Sequence, residues 1–580
     1  MTTPPSLALS VAVAAAFLLV ACGDSDGPTD PDPGPDTSSI PATLSLSGAP
    51  GSLVVGDTFQ VTATVRNDRG TALPAASVHW TTPDGDRLES LSSGRFRSIG
   101  AGEARIVATS GNVSDTLAVA ADPRVATSIS AGLSSLLFLT GDEEHPQVQV
   151  RDQRNRIMEG PDVVWEASDP EVLGVTPAGA IQGRAPGTAH LTAGVADAGA
   201  EGPEASLEIR VFPGSGPRVP ELVVVDSAVV AWMEAFSVPG TQVAVMHEGR
   251  LVLSRGYGVQ SVDRSDPVRE ENLFRIGSLS KPLTGLAFLQ VVEGGMATLD
   301  DRPFEVLVDH YTPLPGGAID HRLLSVTARD ILRHQTGHGN REVDQVAWRA
   351  VWQHGETEID RIYRYALGHP LDHDPRTVYQ YTNFNTKTIA RYMEVLTGTD
   401  IESHMRAAFM APAGVERMAF GRSALHERDP MEVRYHDETG ALTALMDADD
   451  HVMVHWDASG AWIGSATDVL RVVRAALEGT PDIPAFLSAE ARAEISTRNP
   501  DVSGSANFFM GLHWSINLSG PAPVWSHTGA ARGAWAGLSY DHRGIAWALL
   551  SNRHSAGELG FQLGPYLEGV DWPEHDLFER

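Results

Sequence analysis

Apolar residues follow two different periods along this chain of 580 residues. From about residue 42 to about residue 213 they alternate with polar residues in short runs, such as Phe59–Val65 and Ala104–Ala108. Turn residues interrupt these runs about every ten positions, which is typical of all-β domains. The pattern therefore predicts β-sandwiches in this part of the chain.

An internal repeat divides this β-rich region into two units. Seven residues recur with the same identity 85 positions later, and this constant offset indicates two copies of one structure. The pairs are Gly56/Gly141, Val65/Val150, Arg66/Arg151, Arg69/Arg154, Trp80/Trp165, Gly102/Gly187 and Ala104/Ala189. The Val-x-Trp and Gly-x-Ala landmarks resemble those of bacterial group-2 Ig-like domains. The resemblance implies two Ig-like sandwiches, residues 42–121 and 122–213, which act as a spacer stalk or, alternatively, bind a ligand.

The pattern changes again after a short linker at residues 214–220 (GSGPRVP). An amphipathic helix is predicted at about Leu222–Phe236, and it leads into two apolar runs, Thr241–Met246 and Leu251–Ser254. A helix packed on a strand hairpin is typical of a mixed α/β domain. We assign residues 221–580 to that domain and expect the chemistry to lie there.

The first residues have the pattern of an export signal. An almost unbroken apolar stretch, Leu7–Val20, ends in Ala21-Cys22-Gly23 and is too short to span a bilayer. It resembles a bacterial lipoprotein signal (residues 1–21) in which Cys22 is lipidated, although Met1–Ser6 contains no Lys or Arg. An unlipidated secretory signal is the alternative.

Residues 22–41 are rich in Asp, Pro, Gly and Ser, so we expect an extended, disordered tether. Signal and tether together predict a cell-envelope protein, on the periplasmic side or the cell surface, anchored to the membrane by a lipid on Cys22. Cys22 is the single cysteine, so lipidation leaves no thiol for a disulfide. The formal net charge of −31 repels phosphate backbones, and we expect no nucleic-acid partner.

Ser278 and Lys281 form a Ser-x-x-Lys motif at the start of a predicted helix, Ser278–Gly295. Residues i and i+3 share one face of a helix, so the lysine amine can reach the serine hydroxyl. A serine hydroxyl is a poor nucleophile until a base takes its proton, and a lysine can do so where burial and the helix dipole disfavour its charge. Of 43 Lys and Arg residues only Lys281 and Lys387 are lysines. Because a lysine can release its proton whereas an arginine cannot, the choice of lysine favours a role for Lys281 in acid–base catalysis.

Two further motifs follow in order along the chain. Tyr381-Thr-Asn383 opens a helical run, and such a pair can share a proton with Lys281 and hydrogen-bond a substrate carbonyl. His527-Thr528-Gly529 precedes an apolar strand at residues 544–550. The backbone N–H groups at such a strand edge can hold an oxyanion.

These three ordered motifs resemble those of the serine β-lactamase and penicillin-binding superfamily, in the branch with class C β-lactamases, D,D-carboxypeptidases, D-aminopeptidases and esterases. Family-like segments are Phe274–Lys281, Leu299–Asp301, Val326–Leu332 and Gly464–Asp468. The resemblance implies an antiparallel sheet flanked by helices, with a helical subdomain. It also implies a serine hydrolase that needs no cofactor and no metal.

The resemblance implies a role for each motif residue. Ser278 attacks an acyl carbonyl, Lys281 and Tyr381 exchange the proton, and water later hydrolyses the acyl-enzyme. Asn383 binds the acyl side-chain amide or steadies Lys281, and the N–H groups of Ser278 and Ala530 form the oxyanion hole. The substrate-binding residues implied in this way are Asn383, His527, Thr528, Gly529 and Ala530.

His527 departs from the class C pattern, which has a lysine there that recognises the substrate carboxylate. A histidine is neutral or only partly charged near neutral pH. We therefore expect an acyl hydrolase that acts on a small ester, a D-amino-acid amide or a cell-wall peptide. The alternatives are a weak β-lactamase and a surface binding protein with a degenerate hydrolase domain.

Two other features are assigned structural roles. His334 and His338 are spaced i, i+4, but the segment lacks the Glu of a zinc-binding helix and its Thr-Gly breaks a helix, so we expect no metal. Lys387 lies four residues after Asn383 and is expected to be an exposed helix lysine.

Overall fold

The computed structural model describes residues 39–199, 201–339, 343–344, 359–436, 452–479, 484–554 and 562–579. The predicted signal segment and Cys22 lie outside these residues. The chain forms two compact units, which are residues 1–125 with 152–156, and residues 126–151 with 157–580.

Strands make up the described part of the first unit. They are β1 (Thr43–Ser47), β2 (Leu53–Val54), β3 (Thr58–Gln60), β4 (Thr62–Arg66), β5 (His79–Thr81), β6 (Leu88–Ser92), β7 (Arg95–Ser98), β8 (Gly102–Ser110) and β9 (Val113–Asp122). The sheets are β2-β9-β8-β5, β3-β7-β6 and β1-β4. The predicted strand Phe59–Val65 divides at Val61 because β3 pairs with β7 whereas β4 pairs with β1. Phe96 and Ile106 are fully buried at the centre of its core.

A second set of nine strands repeats this pairing strand for strand. Its members are β10 (Ala126–Gly132), β11 (Leu137–Leu139), β12 (Glu143–Glu144), β13 (Gln147–Asp152), β14 (Val163–Ala167), β15 (Leu173–Val175), β16 (Ile181–Gly183), β17 (Gly187–Val195) and β18 (Glu204–Phe212). The sheets are β11-β18-β17-β14, β12-β16-β15 and β10-β13. Both sets agree with the prediction of β-sandwich domains, and their Ig-like identity stays a prediction.

A nine-stranded sheet organises the C-terminal region in the order β19-β21-β20-β30-β29-β28-β27-β26, with β22 paired to β21. The strands are β19 (Gly214–Ser215), β20 (Gly240–His247), β21 (Arg250–Ser261), β22 (Arg264–Pro267), β23 (Phe274–Arg275), β24 (Ala419–Phe420), β25 (Trp462–Gly464), β26 (Phe508–Met510), β27 (Ser515–Asn517), β28 (Val524–Ala531), β29 (Ala534–Asp541) and β30 (Ile545–Ser551). Strands β23, β24 and β25 form a separate small sheet. The predicted 214–220 linker thus begins with an edge strand, because Gly214 pairs with Tyr257 of β21.

Helices cover this sheet. They are α1 (Val223–Ala235), α2 (Ser280–Glu293), α3 (Pro303–Leu307), α4 (Ala328–Leu332), α5 (Ile359–Leu367), α6 (Asn383–Thr397), α7 (Ile401–His404), α8 (Val452–Trp456), α9 (Ala466–Leu477) and α10 (Ala489–Ile495). Helix α2 is buried on nearly every side, and one core cluster joins it to α6, α9 and the sheet. The predicted antiparallel sheet with flanking helices is therefore confirmed for this region.

A buried ionic network joins the second sandwich to the C-terminal domain. Arg255 of β21 is fully buried, and its guanidinium donates to Asp226 Oδ2 at 2.8 Å and to Asp142 of the sandwich. Tyr257 donates to the other oxygen of Asp226 at 2.8 Å. Arg218 donates to Asp142 Oδ2 at 3.1 Å. Each charge is balanced by a partner, which is the condition for ions to be stable out of water.

Candidate active site

The Ser278 turn connects the small sheet to the central helix. Strand β23 ends at Arg275, Gly277–Leu279 forms one turn of 3₁₀ helix, and α2 begins at Ser280. Gly277 has φ +50°, a left-handed conformation that glycine adopts without cost, and the Ser280 hydroxyl donates to its carbonyl oxygen at 2.6 Å. Ser278 is half-buried. The turn therefore holds the Ser278 hydroxyl at the entrance of an otherwise buried helix.

Lys281 lies directly beneath this hydroxyl. Its Nζ is 2.9 Å from Ser278 Oγ and donates to the carbonyl oxygen of Ser459 at 2.7 Å. The side chain is fully buried, and this burial lowers the pKa of Lys281 to about 7, while the charge of Asp344 acts in the opposite direction. A neutral Lys281 presents a lone pair to the Ser278 proton, which is the requirement for a base.

Tyr381 approaches the same hydroxyl from the loop before α6. Its phenol hydrogen-bonds Ser278, and its ring centre lies 5.0 Å from Lys281 Nζ. Burial raises the pKa of Tyr381 above its ordinary value, so the phenol stays protonated near neutral pH. Near neutral pH the unprotonated form is available for Lys281 but not for Tyr381, so Lys281 is the group that can act as the base, and Tyr381 can pass a proton through its hydroxyl.

The start of α6 is held by two side chains. Thr382 caps the helix, with Asn385 N–H donating to its hydroxyl at 3.3 Å. Asp344 accepts the N–H of Asn383 at 2.7 Å and the N–H of Phe384 at 3.1 Å. Asn383 is the first residue of the helix and is half-buried. Its position, two residues after Tyr381 at the start of the helix, is therefore fixed by the backbone.

Strand β28 runs beside the Ser278 turn. A Cβ atom on Gly529 would lie 1.9 Å from the carbonyl oxygen of Ile276, so only glycine allows this approach. A Cβ atom on Gly277 would likewise lie 2.7 Å from the backbone N of Ala530. The backbone N–H of Ala530 is thereby brought next to Ser278, which is the arrangement an oxyanion hole requires.

His527 is buried on β28, whereas the next side chain, Thr528, is exposed. His527 Nδ1 lies 2.6 Å from the Thr528 carbonyl oxygen, so Nδ1 carries the proton and Nε2 keeps a lone pair. Burial, followed by the charge of Lys281, lowers the pKa of His527 to about 3. His527 is thus neutral at physiological pH and offers no positive charge to a substrate carboxylate.

Two buried histidines, His334 and His513, form a pair next to Tyr381, although the sequence analysis did not assign them to the site. The His334 ring lies 4.7 Å from that of Tyr381 and 4.8 Å from that of His513. His334 Nδ1 accepts from the Thr382 N–H at 3.3 Å, and His513 Nε2 contacts the Thr386 hydroxyl at 3.2 Å. Burial lowers the pKa of both imidazoles well below the usual range, so both are neutral.

Metal ligation has no geometric support in the part of the chain that the structure describes. There, no three His, Cys, Asp or Glu side chains come together in a way that could hold a metal ion. His338 packs edge-on against Phe384 with ring centres 4.8 Å apart.

In the same described ranges, no helix has both the length and the apolar character needed to cross a membrane.

The prediction of an exposed Lys387 is wrong. The residue is 6% exposed, on the face of α6 that also carries Asn383. Its charge interacts with Asp344, Asp457 and Lys281. The helical period fixed the spacing from Asn383 but could not reveal that this face of α6 is covered.

With this geometry established, comparison with known proteins defines the family. Residues 225–566 match the family described as Beta-lactamase. The chain belongs to the beta-lactamase family. Membership in the beta-lactamase family agrees with the resemblance found in the three ordered motifs, and it makes the C-terminal domain a serine hydrolase in class.

Three relatives illustrate the range of this family. Penicillin-binding protein 4 of Amycolatopsis lactamdurans is 27% identical over 370 residues, which are 59% of this chain and 91% of that protein. Esterase EstB of Burkholderia gladioli is 25% identical over 351 residues, 55% of this chain and 88% of the esterase. A D-aminopeptidase of Cereibacter sphaeroides is 27% identical over 249 residues, 42% of this chain and 43% of the peptidase.

Proposed function

We propose that this member of the beta-lactamase family hydrolyses a small ester, a D-amino-acid amide or a cell-wall peptide through an acyl-enzyme on Ser278. One observation carries the proposal. A fully buried lysine, whose pKa burial lowers to about 7, lies 2.9 Å from the Ser278 hydroxyl. A lysine in that state is a base at physiological pH, and Ser278 is the group it activates.

Acylation follows from the positions of three side chains. The Ser278 proton passes to Lys281 Nζ while Oγ forms a bond to the carbonyl carbon of the substrate. The oxyanion that develops accepts the N–H groups of Ser278 and Ala530. Collapse of this intermediate breaks the bond to the leaving group, which takes the proton from Lys281 through the Tyr381 hydroxyl. Water then attacks the ester on Ser278 and gives a proton to Lys281. The bond between the acyl carbon and Ser278 Oγ breaks, Oγ takes the proton back from Lys281, and the acid is released.

One observation supports an esterase or peptidase over a β-lactamase. His527 is neutral, so the cation that class C enzymes direct at a carboxylate is missing.

A substrate panel tests the proposal. Release of p-nitrophenol from p-nitrophenyl butyrate, of p-nitroaniline from D-alanine p-nitroanilide and of D-alanine from an acyl-D-Ala-D-Ala peptide is measured beside nitrocefin hydrolysis. We expect turnover of at least one of the first three and little of nitrocefin. Each activity is expected to vanish in Ser278→Ala. Hydrolysis that persists in the variant contradicts the assignment of the nucleophile.

We also propose that the chain is an envelope lipoprotein in which two group-2 Ig-like domains separate the hydrolase from a lipid on Cys22. The export pattern of residues 1–21 and the 85-residue repeat support this organisation. Labelling of cells with an alkyne fatty acid is expected to mark the protein and not its Cys22→Ser variant. Equal labelling of both proteins, or labelling of neither, contradicts lipidation at Cys22.

A further inference from the structure

The charge of one carboxylate, that of Asp344, influences both lysines of the chain. Of 43 Lys and Arg residues only Lys281 and Lys387 are lysines, and both are buried in the hydrolase domain. The charge of Asp344 acts on both amines. A buried arginine keeps its proton, whereas a buried lysine can release it. The balance of charge around Asp344 therefore bears directly on the protonation of Lys281.

Asp344 is held in place by the backbone of α6. Its two carboxylate oxygens accept the N–H groups of Asn383 and Phe384, at 2.7 and 3.1 Å. These N–H groups lie at the positive end of the helix and favour an ionised carboxylate. Lys387 is on the same helix, one turn beyond Asn383, and 6% exposed. Burial raises the pKa of Asp344, and the charge of Lys387 is the largest influence that opposes this.

We propose that Lys387 is a positioning residue that balances the charge of Asp344, so that Asp344 does not hold a proton on Lys281. The inference rests on the proposed function, in which Lys281 acts as a neutral base. An unbalanced carboxylate near Lys281 stabilises the ammonium form of Lys281, which has no lone pair for the Ser278 proton. Burial lowers the pKa of Lys387 as well, but the charges of Asp344 and Asp457 both oppose this and favour its ammonium form. With Lys387 charged, Asp344 is balanced without a proton on Lys281, and Lys281 is free to act as the base.

The other groups around the two lysines leave this balance unchanged. Asp457, which also faces Lys387, forms an ion pair with Arg391 at 3.0 Å. The polar groups that face Lys281 are uncharged near neutral pH, and they are Ser278, Tyr381, the Ser459 carbonyl, His334, His513 and His527. The negative charge of Asp344 is therefore the one that another residue must balance if Lys281 is to stay neutral.

Labelling of Ser278 by a fluorophosphonate, followed as a function of pH, tests the inference without a known substrate. In Lys387→Met the uncompensated Asp344 is expected to raise the pKa of Lys281. The pH at which labelling reaches half its maximum then moves up by about one unit, and labelling below that pH slows about tenfold. In Asp344→Asn the same midpoint moves down, because the attracting charge is gone. The double variant returns towards the wild-type midpoint.

Lys387→Arg is the matched control, since it keeps the charge and is expected to keep the wild-type midpoint. A purely structural role for Lys387 predicts slower labelling in both Lys387 variants with no change of midpoint, and that result overturns the inference. Equal midpoints in wild type and Asp344→Asn overturn it as well, even if Lys387→Met fails to fold. Absence of labelling in the wild type is a different result, because it contradicts the proposed function itself.

Discussion

Gly529 passes so close to Ile276 that a methyl group on its Cα would lie 1.9 Å from the Ile276 carbonyl oxygen. This contact fixes the distance between strand β28 and the turn that carries Ser278. The proposed oxyanion hole depends on that distance, because one of its two N–H groups, those of Ser278 and Ala530, lies on each side. The absence of a side chain at Gly529 thus sets the spacing on which the proposed oxyanion hole depends.

Gly529→Ala is therefore expected to push β28 away from Ser278 and to slow acylation about 100-fold or more, the effect of losing one oxyanion donor. The measurement is the rate constant for fluorophosphonate labelling, with thermal melting to show that the variant folds. Gly564→Ala is the control, because a Cβ there meets nothing within 4 Å. A folded Gly529→Ala protein that is labelled at the wild-type rate contradicts this account of the strand.

The pH dependence of turnover is expected to follow Lys281. Burial lowers its pKa to about 7, and the neutral form is the active one. The value of kcat/KM should therefore rise as pH increases through about 7 and be about tenfold lower one unit below that midpoint. Measurement from pH 5 to 9 on whichever substrate turns over checks this. A rate that stays constant from pH 5 to 8 excludes Lys281 as a titrating base with this pKa.

Replacement of His527 tests whether the lack of a cation at this position disfavours substrates that carry a carboxylate. The buried imidazole is neutral, and its pKa is lowered to about 3. His527→Lys is expected to raise the ratio of kcat/KM for nitrocefin over that for p-nitrophenyl butyrate by about tenfold, since a charged donor binds a carboxylate more strongly than a neutral one. His527→Gln, which adds no charge, is expected to leave the ratio unchanged. An equal change of the ratio in both variants contradicts the electrostatic explanation.

The ionic network around Arg255 is expected to govern stability. Arg255→Met leaves the carboxylates of Asp142 and Asp226 buried without this guanidinium, which costs about 3–5 kcal/mol. Urea unfolding followed by tryptophan fluorescence measures the loss. Arg302→Met removes a half-exposed pair with Glu305 and is expected to cost less than about 1 kcal/mol. Similar losses in the two variants contradict a structural role for the buried network.

Local patterns in the sequence predicted much of the fold. The helix expected at about Leu222–Phe236 is α1, Val223–Ala235, and the two following apolar runs are the hairpin β20–β21. Both strands are buried at nearly every position, and a continuous apolar run displays such burial directly in the sequence. The division of Phe59–Val65 at Val61 was not predictable, because it depends on which strands pair across the sandwich.

For the candidate site, motif order predicted residues that the structure brings together, namely Ser278, Lys281 and Tyr381. The burial of Lys387 was missed, since spacing along a helix does not show what covers it. Asp344 was missed because it belongs to none of the motifs, and only the folding of the chain brings it next to Asn383. The one available signal was the scarcity of lysine, which applied to Lys387 as much as to Lys281.

The most direct test of an activated Ser278 is the intact mass of the purified protein after exposure to a fluorophosphonate. The account predicts a single adduct on the wild type and none on Ser278→Ala. An unmodified wild-type protein, or an adduct that persists in the variant, contradicts the assignment of Ser278 as the nucleophile of this domain.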